Sequence, residues 1–467
     1  MYMRLEDGLH HIADRIMHEI AKDKDIGVIT HTDADGIIAG SIIAKMLLRK
    51  NARFTVRTVS DMNDQTIDSI KDKHEFYIIT DLGAGFANKF EEAFKDSWVV
   101  LDHHQLPEEE MDNDNVLNVW KYGIDGGKEV CAGSLCYLLA EHIDARNRDL
   151  SALAIVSAVA DRQDQGDKKS LLGLNKNIAD TARSKDLLSI DLDLMLVGRE
   201  TRPIHEALAY TSFPYIEGLT WNPSSCLSLL TNAGIKLKDN GRWRVLAELD
   251  DEEKRIMLEA IAKFVAVTSN ATNIIDDLIG YIYTLLKEDN RSMLRDAREF
   301  ATLLNATARI GKAGVGISIC LGDRNSMLKE GEQIVNEYRN RLREYMNTLM
   351  QDRWRIRDDG KVAFVNGESL IAEDMLGAVS SLLSSSPSMH GRLVIVWTRT
   401  KDDTYKFSSR KSLQTDSNAN LGLIMRECSS KVGGSGGGHA PAAGARIPGN
   451  KLQEFLECLK ASIDAAD

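Results

Sequence analysis

Three short apolar runs, Ile26-Gly-Val-Ile-Thr30, Phe76-Tyr-Ile-Ile-Thr80 and Trp98-Val-Val-Leu101, are each followed at once by polar, chemistry-bearing residues: His31-Thr-Asp-Ala-Asp-Gly36, Asp81-Leu-Gly83 and Asp102-His-His104. The runs read as buried strands, and the amphipathic helical patterns between them read as crossovers of β-α-β units on a parallel sheet. In open α/β sheets ligands gather beyond the carboxyl ends of the strands. Three such ends loaded with carboxylates and imidazoles predict one shared site.

The chain has 467 residues, more than one domain usually holds. Residues 1–185 carry the β-α-β pattern of an α/β domain. From 186 to 350 long helical periodicity dominates, as over 251–268 and 331–350, with few strand candidates, which predicts a helical insertion and connector. Trp354-Arg-Ile-Arg357, a turn at Asp358-Asp-Gly360, Val362-Ala-Phe-Val365 and Leu393-Val-Ile-Val-Trp397 then predict a smaller C-terminal α/β domain over 351–467. Within it, Gly433 to Gly438 is too glycine-rich for a helix or a core strand and reads as a flexible loop or a loop that approaches a ligand closely.

Composition narrows the function. No apolar stretch reaches about eighteen residues, and the N-terminus lacks the order of a signal peptide, so a soluble cytoplasmic protein without a membrane partner is expected. The six cysteines show no C-x-x-C spacing and read as ordinary thiols rather than a zinc module or a disulfide framework. A net charge of -12 argues against a uniformly basic, nucleic-acid-coating surface. Residues 391–451 nevertheless hold ten Lys and Arg against four acids, so a polyanion would be met there.

His31, Asp33 and Asp35 stand at i, i+2 and i+4 just past a strand, on one side if the backbone stays extended. With Asp81, Asp102, His103, His104 and Asp161 they form an oxygen-rich set with a few imidazoles and no thiolate, which suits Mn²⁺ or Mg²⁺ better than structural zinc. Any one of these residues alone would read as a helix cap or a packed histidine. Together, at successive strand ends, they read as a site for a pair of cations, the arrangement that promotes in-line displacement at phosphorus.

The same residues carry a resemblance. His31-Thr-Asp-Ala-Asp-Gly36, Asp81, Asp102-His-His104 and Asp161 resemble four motifs of the DHH phosphoesterases, and Gly437-Gly-His-x-x-Ala-Ala-Gly444 resembles the signature of their associated C-terminal domain. Asn305-Ala-Thr-Ala-Arg309 is similar to the N-A-x-x-R element of RecJ nucleases, so the likeness spans nearly the whole chain and points to the archaeal RecJ-like group. The resemblance implies that His31, Asp33 and Asp81 hold one of two Mn²⁺ ions and that Asp35, Asp81, His103 and Asp161 hold the other, with Mg²⁺ as the alternative metal. It further implies that His104 contacts the scissile phosphate and that Asp102 orients the histidines. Ser408, Ser409, Arg410, Gly437, Gly438, His439, Arg446 and Arg309 would bind substrate.

The function this implies is a metal-dependent exonuclease that hydrolyses phosphodiesters of single-stranded DNA or RNA in replication or repair, with the GINS complex or a repair helicase as a protein partner. Two alternatives stand beside it: a replication scaffold with little catalysis, and a nanoRNase or nucleotide phosphatase, whose chain is usually much shorter.

Overall fold

The computed structural model describes residues 4–106, 113–268, 274–412 and 415–466. The chain divides into two compact units: one comprises residues 1–211 and 216–335, the other 212–215 and 336–467.

The first unit begins with helix α1 (Leu5–Ala21) and a five-stranded sheet of β1 (Ile26–His31), β2 (Phe54–Val59), β3 (Phe76–Thr80), β4 (Trp98–Asp102) and β5 (Val116–Asn118). All neighbours are parallel, in the order β2-β1-β3-β4-β5. β3 and β4 are buried along their whole length, which is why they read as continuous apolar runs rather than alternating ones. The crossovers are α2 (Ala34–Arg49), α3 (Asp64–Ile70) and α4 (Ala87–Phe94), and α5 (Ala132–Ile143), α6 (Ser151–Ala160) and α7 (Gly173–Ser184) follow. Helix α2 is packed by α5 and α6 as well as by the sheet, and its polar Asp35 and Ser41 are buried with its apolar residues.

The region expected to be helical contains a strand pair. β6 (Leu188–Leu194) runs antiparallel to the later β9 (Ile279–Leu285), and a small hairpin pairs β7 (Lys238–Asp239) with β8 (Arg242–Trp243). Leu188-Ser-Ile-Asp-Leu-Asp-Leu194 alternates apolar and polar residues, a period-two signal that the surrounding helical periodicity masks. Between the pair, α8 (Ile204–Tyr210), α9 (Pro223–Asn232), α10 (Asp251–Thr268) and α11 (Ile274–Asp277) close a separate small core that includes Leu208, Leu219, Leu230, Leu246, Met257 and Ile261. Helices α12 (Ala297–Arg309) and α13 (Ala313–Leu321) return to pack on α2.

The long helix α14 (Ser326–Gln351) carries the chain into the second unit. Its later apolar face, Tyr338, Leu342, Tyr345 and Leu349, packs on Val365, Ile371 and Met375, so the second unit starts inside this helix. The residues read as a strand at 354–357 form a 3₁₀ turn, Arg353–Arg355, and then the short β10 (Ile356–Asp358). With β11 (Val362–Asn366), β12 (Leu393–Arg399), β13 (Thr404–Lys411), β14 (Ser435–His439) and β15 (Ala442–Pro448) it builds a mixed six-stranded sheet in the order β10-β11-β12-β13-β15-β14. α15 (Leu376–Ser384) covers one face, and α16 (Leu421–Lys431) and α17 (Leu452–Ala466) cover the other.

Two sequence expectations are corrected here. The glycine-rich segment is an edge strand rather than a loop: β14 pairs antiparallel with β15, and α16 lies so near that a Cβ at Gly436 would stand 2.7 Å from the Met425 carbonyl oxygen. Glycine serves the helix–strand approach. The cysteines are not all thiols, because Cys428 on α16 and Cys458 on α17 form a disulfide with Cα atoms 5.8 Å apart. Sequence spacing gave no sign of it, since the 30-residue separation is bridged only when the two helices pack. Among the described residues no helix is long and apolar enough to cross a membrane.

Candidate metal centre

β1, β3 and β4 are adjacent and parallel, so the polar residues that end them emerge at one edge of the sheet. The buried hydroxyls behind that edge are tied together: Thr80 Oγ1 donates to Thr30 Oγ1 at 2.8 Å, and Thr30 Oγ1 donates to the Gly36 carbonyl at 2.5 Å. Asp33 caps α2, accepting from the Gly36 N–H at 2.9 Å. Asp35, in the first turn, accepts from Ala132 N at 3.0 Å and Gly133 N at 2.9 Å at the start of α5, and from Ser157 Oγ. Asp81 lies just beyond β3 with φ +64°, a left-handed conformation that a non-glycine residue adopts under constraint and that clusters at functional sites.

These side chains meet. His31 Nδ1 is 3.0 Å from Asp33 Oδ2 and 3.5 Å from Asp81 Oδ2. His103 Nε2 is 3.3 Å from Asp81 Oδ1 and 3.6 Å from Asp35 Oδ2, and Asp161 Oδ2 is 3.8 Å from His103 Nδ1. Three overlapping sets, His31-Asp33-Asp81, Asp35-His103-Asp161 and Asp81-His103-His104, each bring donor atoms within 4.8 Å of one another. Asp81 and His103 are each shared by two sets.

A second layer fixes the histidines. His103 Nδ1 donates to the Gly126 carbonyl at 2.6 Å, and because a carbonyl only accepts, the neutral ring keeps its lone pair on Nε2, facing Asp81. The same carbonyl accepts from Gln163 Nε2 at 2.8 Å, and Gln163 Nε2 also donates to Asp161 Oδ2 at 2.8 Å. Asn175 Nδ2 donates to Gln163 Oε1 at 2.6 Å. Trp120 Nε1 donates to the His103 carbonyl at 2.9 Å, and a Cβ at Gly126 would stand only 2.0 Å from that carbonyl oxygen. Asp102 lies behind the triplet: its Oδ1 accepts from the backbone N–H of His103 and His104 and from His104 Nδ1 at 2.7 Å, and its Oδ2 accepts from Ala84 N at 3.2 Å.

The electrostatics match a site built for cations. Burial, then the charges of Asp81 and Asp161, push the Asp35 carboxyl well above the ordinary range, and burial pushes Asp161 up to about 6. Burial works to lower His31 and His103, yet the surrounding carboxylates outweigh it and hold both above their ordinary value. The cluster therefore holds protons more tightly than the same side chains would in water. Asp81 is 2% exposed and its Oδ2 has no hydrogen-bond partner, an orphaned acceptor at the centre of the cluster. Carboxylates, imidazoles and an unsatisfied buried oxygen fit a hard divalent cation.

The relatives agree with the geometry. Residues 25–162 match the DHH family N-terminal domain, 196–279 the DHH-CID domain and 359–465 the DHHA1 domain. An uncharacterized protein of Methanocaldococcus jannaschii is 30% identical over 443 residues, 92% of this chain and 91% of that protein. The chain belongs to the DHH superfamily. Its fold is RecJ-like: RecJ from Thermus thermophilus in complex with Mn²⁺ superposes with a TM-score of 0.60 at 15% identity, over 98% of this chain and 55% of the RecJ chain, so this chain spans about half that relative's length. CDC45 from Entamoeba histolytica superposes with a TM-score of 0.67 at 12% identity, over 99% and 100% of the two chains. That RecJ has been crystallised with Mn²⁺ and with Mg²⁺. A RecJ-like DHH fold supports a nuclease or phosphoesterase.

Within the DHHA1 region the expected substrate residues fall into two groups. Gly437, Gly438 and His439 lie on the edge strand β14, with Gly438 and His439 exposed. Ser408 and Ser409 are buried, and their hydroxyls are engaged with Ser380 Oγ at 2.8 Å and the Ala443 carbonyl at 3.1 Å. Arg410 donates to Ser381 Oγ and the Ser409 carbonyl, and Arg446 is paired with Glu373 at 2.9 Å and Asp402 at 3.3 Å. In the DHH unit, Arg309 is half-buried at the end of α12, one turn after Asn305, whose Oδ1 accepts from Ala34 N at 3.3 Å, at the first residue of α2.

Sequence reasoning missed four residues of this DHH protein. Gln163 and Asn175 show no motif, and only their hydrogen bonds reveal them. Asn305 opens the N-A-T-A-R element, of which only the arginine was expected to meet substrate. Arg426 on α16 is exposed, and its Nε and Nη2 stand 4.0 Å from where a Cβ at Gly437 would be, which places a guanidinium beside the glycine strand.

Proposed function

We propose that this protein is a two-metal phosphodiesterase that removes nucleotides from single-stranded DNA or RNA, in replication or repair. The observation that carries the reading is the orphaned, buried Asp81 Oδ2 at the point where the His31-Asp33 and Asp35-His103-Asp161 sets meet. In this reading His31, Asp33 and Asp81 hold one divalent cation, and Asp35, Asp81, His103 and Asp161 hold the other. A bound pair of this kind, Mn²⁺ or Mg²⁺, would supply an activated water and stabilise charge on the phosphoryl oxygens.

The chain's own residues do the rest. The Gly126 and Gln163 contacts hold His103 and Asp161 in fixed orientation. His104, half-exposed and kept protonated by Asp102, presents a positive donor to a phosphate, while Asp102 stays in support. In the second unit, the exposed Gly438-His439 edge and the Arg426 guanidinium offer backbone and bidentate contacts to a strand end.

A second reading is a replication scaffold that docks on the GINS complex, and the likeness in fold to CDC45 over 99% of this chain is compatible with it. Against it, each motif position for a metal ligand is filled in this chain. Cleavage of a dinucleotide, a single strand of about twenty nucleotides and a duplex of that length, each with Mn²⁺, separates the readings. Preferred hydrolysis of the longer single strand supports the exonuclease, preference for the dinucleotide supports a nanoRNase, and no hydrolysis of any substrate leaves the scaffold.

A further inference from the structure

Trp354, at 70% exposure, and Met350, at 65%, are the most exposed large apolar side chains among the described residues. They stand four positions apart where α14 ends and β10 begins, both in the second unit. The indole is held rather than loose. Arg355 places its guanidinium 4.5 Å from the Trp354 ring centroid, and that guanidinium is itself anchored by donation to the carbonyls of Asn366 at 3.2 Å and Glu368 at 3.0 Å. One ring face is thus backed by a fixed cation, and the exposure belongs to the rest of the ring.

The surroundings are basic in a chain whose net charge is -12. Residues 339–357 hold six arginines against two acids, Glu344 and Asp352, and contain no lysine. Of these, Arg343, Arg353 and Arg357 are exposed; Arg357, its side chain 66% accessible, stands 3.8 Å from Asp359 Oδ2, a long and solvent-open pair. An exposed aromatic face backed by one guanidinium, with further arginines next to it in sequence, is complementary to a stacked base between phosphates, because every base offers a π face and arginine grips phosphate in a bidentate way.

We infer that Trp354 is a base-stacking platform for single-stranded nucleic acid, with Arg353 and Arg357 on the adjoining phosphates. This rests on the reading above that the protein handles single strands. The platform lies at the β10 edge of the six-stranded sheet, and the Gly437-Gly438-His439 strand is the opposite edge. Five strand spacings of roughly 4.8 Å separate them by about 24 Å. At roughly 3.4 Å per stacked nucleotide, about seven nucleotides span that distance. The platform therefore acts on long strands and is out of reach of a dinucleotide held at the other edge.

The test is fluorescence anisotropy of a labelled single strand of about twenty nucleotides with full-length wild type, Trp354→Ala and Trp354→Phe in EDTA, alongside Mn²⁺-dependent hydrolysis of a dinucleotide. Trp354→Ala weakens strand binding about tenfold, the order expected for one lost stack, Trp354→Phe retains most of the binding, and dinucleotide hydrolysis is unchanged in both. Equal strand binding by wild type and Trp354→Ala, with wild-type binding intact, overturns the platform and leaves the metal centre standing. Failure of the wild type to bind any single strand overturns both. Circular dichroism confirms that each variant folds, as expected for a side chain this exposed.

Discussion

His103 donates from Nδ1 to the Gly126 carbonyl at 2.6 Å, and this one bond decides which nitrogen of the ring faces the cluster. Gln163 shares that carbonyl and extends the arrangement to Asp161. The carbonyl that sets a histidine and a carboxylate far from it in the chain are thereby tied to one glutamine buried from solvent.

Replacing Gln163 by Leu is expected to lower Mn²⁺ affinity by roughly ten- to a hundredfold, the usual effect of losing such an outer partner. Calorimetric titration of the metal measures it. The gain in melting temperature on adding Mn²⁺ should shrink as well, which a purely structural loss would not produce. Unchanged affinity would remove Gln163 from the site.

The Asp102 carboxylate beside His104, acting against burial, pushes the imidazole up to about 9 from its ordinary 6.5. A folded-state value above the unfolded one means the pair stabilises the metal-free protein fully below about pH 6.5, and that this stability is lost as pH rises through about 9. The ring is half-exposed, which keeps the energy small. In metal-free protein, NMR titration of His104 should give a midpoint near 9 in wild type and fall toward 6.5 in Asp102→Asn. A midpoint that does not move would show that Asp102 does not govern His104.

Arg426 and Arg446 both belong to the basic C-terminal region, but the structure separates their roles. Arg446 is paired with two carboxylates, whereas Arg426 is exposed beside Gly437. Arg426→Ala should weaken binding of a 5′- or 3′-phosphorylated oligonucleotide several-fold more than Arg446→Ala, and should flatten the salt dependence of binding by about one phosphate contact. Equal effects of the two variants would contradict the assignment.

Much of this arrangement was readable in the sequence, and for a physical reason. Strands buried on both faces must be apolar, so the first polar residue after each run marks where the strand leaves the core. His31, Asp81 and Asp102 are therefore legible as residues of one sheet edge from the sequence alone. No sequence signal assigns roles to Gln163, Asn175 and Arg426, and the motif that contains Asn305 does not show what it touches, because these roles lie in contacts between segments far apart in the chain. Asn305 reaches Ala34 across 271 positions. The strand pair β6–β9 was hidden for a similar reason: its partners enclose a whole helical insertion, so neither strand has a neighbour in sequence to reveal it. The Cys428–Cys458 bond likewise depends on helix packing that spacing does not encode.

The most direct measurement is Mn²⁺ stoichiometry by calorimetry or electron paramagnetic resonance, made on wild type and Asp81→Ala and paired with a time course on end-labelled single strands. The account predicts two ions per wild-type chain, at most one weakly held ion in Asp81→Ala, and loss of cleavage in a variant that keeps its circular dichroism spectrum. Two ions bound and undiminished cleavage in Asp81→Ala would contradict it.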